Sequence, residues 1–251
     1  MRTASARILG GALLACLLSV TAALAEPSPS TLRDAFFHRP GDRPLPSVAR
    51  FEDEEGDEFV LDRSGGRPVF IRFDDSPEIW TLLPNSAPRG DVVYKNDMGE
   101  PVLRSTRLGG LTLFTEGRPQ GMAAAFAGPA PPLRLPPVDT VQTLLRDFAQ
   151  ASARASRAAQ RLIAFEAEDA PLLAAPLLAD AAFVVSEAFV QVASEDGGRR
   201  LVARYNKVEF EAGKNPNAAT RGPVVRITIA PERGLAGRPS SHRVAAAISK
   251  R

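Results

Sequence analysis

The chain has 251 residues but only one cysteine, two histidines, one tryptophan and two tyrosines. Its cysteine, Cys16, lies in an apolar N-terminal run. A chain cleaved beyond that run has no disulfide, no thiol chemistry and no thiolate metal site. The histidines, His38 and His242, sit near opposite ends, so a histidine metal centre would have to draw on both. In Ser240-Ser241-His242 the hydroxyls adjoin a His, but adjacent residues on an extended chain point apart. No Gly-x-Ser-x-Gly elbow, His-Glu-x-x-His, phosphate loop or dinucleotide fingerprint occurs. Neither a metal nor a cofactor is expected. Beyond the N-terminus no segment reaches the ~20 apolar residues of a membrane span without charges or prolines, so the mature chain is expected to have no transmembrane span.

Lysine is scarce too, since 27 of the 31 basic residues are arginine. Arginine suits bidentate carboxylate or phosphate contacts, although a GC-rich genome explains the bias more simply. Without Arg2 and Arg7 the chain has 29 basic (31 − 2) and 29 acidic residues. That balance excludes the basic excess typical of a nucleic-acid binder.

What is present begins with an export signal at 1–25. Arg2 and Arg7 supply the positive start, Ile8 to Val20 the apolar run, and Ala23-Leu24-Ala25 a small-x-small cleavage site before Glu26. Periplasmic or secreted localisation follows. The alternative is a lipoprotein acylated at Cys16, from the box-like Leu13-Leu14-Ala15-Cys16. Residues 26–47 read as an extended Pro-rich arm.

Residues 48–128 read as an antiparallel β-meander, forming a sandwich or partial barrel. Seven short strands ("ARFEDE", "EFVLDR", "PVFIRF", "EIWTLL", "DVVYKN", "PVLRST", "LTLFT") recur at about ten-residue spacing between Gly-, Asp- and Pro-rich turns. A Pro-rich connector occupies 129–137. In 138–195 the apolar period changes to three and four residues, which predicts a central two-helix hairpin. The first helix has Asp139 or Thr140 as N-cap, and the second runs from about Pro176 to Ala193. Residues 196–251 read as a C-terminal β-hairpin ("RLVARYNKVEF" with "PVVRITIA") and a tail ending in one short helix. The fold class is α+β.

Candidate sites are few. Arg89-Gly90-Asp91 matches an adhesion tripeptide, but Gly90 supplies the positive φ of a turn and Asp91 can cap it. On paired strands Arg104 would reach Asp91 or Asp97, and with Trp80 and Tyr94 these residues would line a small polar pocket with aromatic walls. The bland reading is cross-strand surface pairing. Glu52 to Glu58 holds six acids in seven positions; it does not follow the calcium-loop pattern, and an exposed edge strand protected by charge explains it. Arg146, Arg154, Arg157 and Arg161 share one helical face, a candidate strip for anionic surfaces or a solvated helix face.

The stretches "FVLDRSGGRP", "SPEIWTLLP", "APRGDVVYKNDMGEPVLRSTRLGGLTLFT" and "QASARASRAAQRL" resemble an uncharacterised family of exported Gram-negative bacterial proteins, the domain-of-unknown-function family DUF4908. The resemblance implies export and a shared fold and carries no activity, cofactor or catalytic residue. The expected function is non-catalytic, structural or ligand-binding, with a cell-envelope component as partner. The alternatives are an envelope hydrolase using a carboxylate pair and an anionic-surface binder through the arginine face.

Overall fold

The computed structural model describes residues 45–167 and 174–250. The expected signal segment, Cys16, the arm up to residue 44 and the first part of the tandem Ala-Pro-Leu-Leu-Ala repeat lie outside the described residues.

Eight strands form a closed barrel: β1 (Val48–Asp53), β2 (Glu58–Asp62), β3 (Val69–Phe73), β4 (Trp80–Ser86), β5 (Val92–Lys95), β6 (Pro101–Ser105), β7 (Leu111–Thr115) and β8 (Arg118–Pro129). Each pairs antiparallel with the next, and β8 closes on β1, with Phe51 opposite Phe126. The period of two sends Phe51, Phe59, Leu61, Ile71, Leu82, Leu103 and Leu113 inward, where they pack as one cluster. Eight strands leave an interior just wide enough for side chains to fill, so this barrel has a packed core rather than a through-channel.

Closure corrects two expectations. The sheet is neither a sandwich nor a partial barrel, because an eighth strand runs through the Ala-rich stretch at the end of the meander. Alanine is a weak strand former, and β8 is held by partners on both sides instead. Gly121 in β8 has φ 84°, and a Cβ there would come within 2.5 Å of the Thr112 methyl and 2.8 Å of the Phe114 ring, so glycine is the residue that fits beside β7. Closure also removes the edge that the acidic run was expected to protect: Glu54 to Asp57 form the β1–β2 turn inside a continuous ladder.

Alternate turns of an antiparallel barrel fall at opposite ends. The β1–β2, β3–β4, β5–β6 and β7–β8 turns share one end, here called the mouth. They carry Glu54, Glu55, Asp57, Asp74, Asp75, Glu78, Asp97, Glu100 and Glu116, and no Lys or Arg. The β2–β3, β4–β5 and β6–β7 turns share the other end and carry Arg63, Arg67, Arg89 and Arg107, with Asp91 as their one acid. The barrel is therefore electrically polarised along its axis.

After the connector come α1 (Val141–Ala159), β9 (Ala164–Ala167), α2 (Ala175–Ser194), α3 (Gly198–Val202), β10 (Lys207–Ala212), β11 (Asn217–Arg221), β12 (Val224–Ile229) and α4 (Ser241–Ser249). Thr140 caps α1 by accepting from Thr143 N at 3.1 Å, as the pattern predicts. Helix α2 is long and apolar enough to cross a membrane by composition, but it carries Asp180 and Glu187. Its Leu178, Val185, Phe189 and Val192 are buried against α1, β10 and β12.

The expected C-terminal β-hairpin is corrected as well. The four strands order as β11-β12-β10-β9, with β10 parallel to both β9 and β12. The antiparallel pair in this sheet is β11–β12, in which the expected strand "PVVRITIA" pairs with Asn217–Arg221 just before it rather than with "RLVARYNKVEF". "RLVAR" lies mostly in α3 and a following turn rather than in a strand. A parallel pair needs a crossover of a dozen residues or more, which α2 supplies between β9 and β10. Two serines of α1 hold the chain entering β9: Ser152 Oγ donates to Ile163 O at 2.6 Å, and Ile163 N donates to Ser156 Oγ at 2.9 Å.

Candidate binding pocket at the barrel mouth

The mouth is fastened to the helices by a buried polar network. Arg238 follows the 3-10 turn Pro231–Gly237 and is closed off from solvent. Its Nη1 lies 3.3 Å from Glu78 Oε1, its Nη2 donates to Ile79 O at 3.0 Å, and its Nε pairs with Asp180 of α2. Ser241 N donates to the same Glu78 oxygen at 3.0 Å. Nearby, Ser240 Oγ donates to Asp97 Oδ1 at 2.6 Å and accepts from Arg243 N at 3.1 Å, so the α4 N-cap is also a tie to the β5–β6 turn. Arg243 Nε adds a 3.0 Å contact to Asp97 Oδ2. Two anions, Glu78 and Asp180, thus accompany the buried guanidinium, which is what a buried charge requires.

Between this network and the open end of the barrel lies a pocket of about 610 Å³. Its floor is apolar: Phe73 and Trp80 point inward from β3 and β4, beside Val102, Leu113 and Met122. The Trp80 ring meets Phe73 edge-on at 6.0 Å, and His242 of α4 edge-on at 4.5 Å. Its wall is acidic. Nine of its lining residues are Asp or Glu, drawn from the facing ends of β1 and β2 and the turn between them, from the β3–β4 and β7–β8 turns and from α2, and no Lys or Arg lines it. Several of these acids are answered from outside the pocket. Arg50 pairs with Glu58 and Asp74, Arg118 with Glu55, and Arg154 with Glu187. Asp57, Asp75 and Glu116 are exposed and have no cationic partner among the described residues. Burial pushes the Glu187 carboxyl above its ordinary value; Arg154 opposes that rise and Glu78 adds to it. Among the described residues no group of three or more His, Cys, Asp or Glu side chains is placed to hold a metal ion.

The five residues expected to share a site do not converge. Trp80 lines the pocket. Tyr94 is buried in the barrel core. Arg104 does pair with Asp91, with Nε donating at 2.9 Å, but at the end away from the mouth, where Asp91 Oδ1 also accepts from Arg107 N at 3.3 Å. The Arg104 guanidinium holds the Asp91 carboxyl below the usual carboxylate range, against the burial that opposes it. Asp97 is at the mouth but is taken up by Ser240 and Arg243. In the Arg89-Gly90-Asp91 turn both Arg89 and Gly90 adopt positive φ, 66° and 81°.

The arginine strip divides: Arg146 and Arg161 turn elsewhere, while Arg154 and Arg157 both line a second groove. Arg146 donates to Thr143, and Arg154 turns toward α2, lying 5.7 Å over Phe183 and pairing with Glu187. Arg161 is beyond the helix and donates to Ala203 O at 2.9 Å. That groove, of about 980 Å³, lies beside the connector, and Arg72 and Arg134 line it as well.

A family model described as a domain of unknown function (DUF4908) matches residues 31–248. The chain belongs to the DUF4908 family. No curated protein and no solved structure matches it. The DUF4908 match takes in the whole barrel, every residue lining the pocket and the Arg238 network.

Glu78, Asp180, Glu187 and Arg238 had no signal of their own in the sequence, being isolated charges far apart in the chain. The alternating sign of successive turns was readable once the strands were placed, and it locates the acidic mouth.

Proposed function

We propose that this DUF4908 protein is an exported, non-catalytic binding protein of the cell envelope that holds a small organic cation at its barrel mouth. The observation that carries the reading is the pairing of an aromatic floor, Phe73 and Trp80, with a wall that has carboxylates from four chain segments and no Lys or Arg. An aromatic face attracts a desolvated cation through its quadrupole, by about 0.5–2 kcal/mol, and strongly for quaternary ammonium groups. Like charges gathered around a partly enclosed space focus a negative potential that concentrates cations there. The apolar floor suits an amine bearing hydrocarbon better than a hydrated inorganic ion.

The pocket favours binding over carboxylate-pair hydrolysis. Glu78 is committed to Arg238 and Ser241 N, and Glu187 to Arg154. The two buried acids of the lining, Glu78 and Asp53, are both engaged in holding the structure, Asp53 by accepting from Glu55 N and Asp57 N, rather than poised as proton donor and base.

Calorimetric titration with phenyltrimethylammonium and with spermidine tests the reading. Saturable, salt-sensitive binding is expected, weakened about fivefold or more in an Asp75→Asn/Glu116→Gln variant with an unchanged melting temperature. No binding of either cation, or full binding by the double variant, would overturn it.

A further inference from the structure

We propose that the barrel end opposite the pocket docks on an anionic lipid surface, with Leu108 as the inserting residue and Arg67, Arg89 and Arg107 as headgroup contacts. The inference is independent of the pocket and its ligand.

Leu108 sits at the tip of the β6–β7 turn and is 97% exposed, the most exposed large apolar residue described. One exposed leucine is ordinary on a protein surface. This one is flanked by Arg107 in its own turn and shares the barrel end with Arg89 of the β4–β5 turn and Arg67 of the β2–β3 turn. All three arginines are exposed, and none has a carboxylate partner within salt-bridge distance among the described residues. The acids at this end are spent internally. Asp62 accepts from Ser64 N, Ser64 Oγ and Leu133 N, and Asp91 is held by Arg104 and by Arg107 N. The exposed surface of this end therefore carries one of these unpaired arginines on each of its three turns, with a protruding hydrocarbon tip on the third. Arginine is well suited to phosphate headgroups, because its planar fork donates two parallel hydrogen bonds to phosphate oxygens.

One further feature sets the orientation. The acidic mouth lies at the far end of the same axis, so the field of the barrel turns the basic end toward an anionic surface.

Co-sedimentation of the full chain with vesicles tests the proposal, comparing phosphatidylcholine alone with phosphatidylcholine containing phosphatidylglycerol. The apolar run at 8–20 contributes to both, so the readout is the difference between them. Anionic vesicles should bind more tightly, with the excess falling as salt rises. Arg67→Gln, Arg89→Gln and Arg107→Gln should each reduce that excess about fivefold. Leu108→Ser should reduce it about tenfold while leaving its salt dependence unchanged. All four positions are exposed turn residues, and thermal melts check that the variants fold. Equal binding to both vesicle types would overturn the proposal. So would loss on arginine substitution with no effect of Leu108→Ser, particularly if dextran sulfate competed equally, because that pattern describes a soluble polyanion partner.

Discussion

Arg238 Nη1 stands 3.3 Å from Glu78 Oε1, and both side chains are closed off from water. The contact joins the β3–β4 turn of the barrel to the segment leading into α4, across 160 residues of chain. Asp180 completes the set from α2. Removing one partner leaves an uncompensated buried charge, so Arg238→Ala should lower unfolding stability by about 3–5 kcal/mol in urea titrations. A loss below about 1 kcal/mol would mean the pair is not buried as described.

Asp62 gives a pH-dependent test at the other end of the barrel. Burial works against its charge, but hydrogen bonds from Ser64 and Leu133 outweigh that and hold its pKa below the ordinary 3.8. A depressed carboxylate stabilises fully above its unfolded value and loses that contribution as pH falls through the lower folded one. Asp62→Ala should therefore destabilise by about 1–3 kcal/mol at neutral pH, and the gap to the parent should close as the medium is acidified below the carboxylate range. A gap independent of pH would contradict this.

Glu187 behaves in the opposite sense. Its folded pKa is raised, so the ionised form weakens the fold once pH exceeds the ordinary Glu value of 4.5, and that cost is complete above the folded value. Compared with the parent, Glu187→Gln should gain relative stability as pH rises through this interval. Below it the two should differ only by a constant offset, which includes the lost contact with Arg154. Urea midpoints measured across the carboxylate and mildly acidic range check the slope, and a flat difference would contradict the assignment.

The same residue predicts how ligand binding responds to acid. A bound cation favours ionised Glu187, and protons compete for the same carboxylate. Cation affinity should start to fall at a pH above the ordinary glutamate range, and Glu187→Gln should remove that early fall. If the parent and the variant weaken together, only the exposed acids govern binding.

Elements with strong local patterns were readable from the sequence. The three- and four-residue apolar period located α1 and left Asp139 or Thr140 as its cap, of which Thr140 is the one used, and alternation around Val69, Ile71 and Phe73 gave β3. Strand order also brought Arg104 to Asp91 or Asp97, and the structure pairs it with Asp91. What could not be read depends on distant partners. β8 is alanine-rich and becomes a strand because β1 and β7 flank it. β9 is four residues long and exists because β10 lies alongside it. The pocket fails local reading for the same reason, since its acids come from turns that only closure gathers at one end. Tyr94 shows the converse error: a phenol on a half-polar strand looked like a binding residue, but its position in the period of two sends it into the core.

Trp80 is the only tryptophan in the chain and forms part of the pocket floor. Its fluorescence therefore reports on the site without a label. The most direct test of the central claim is a titration of the full protein with phenyltrimethylammonium followed by tryptophan emission. The account predicts a saturable change in Trp80 emission that sodium chloride weakens and that benzoate, an anion of similar shape, does not produce. No saturable change, or the same change with benzoate, would contradict a cation site at the barrel mouth.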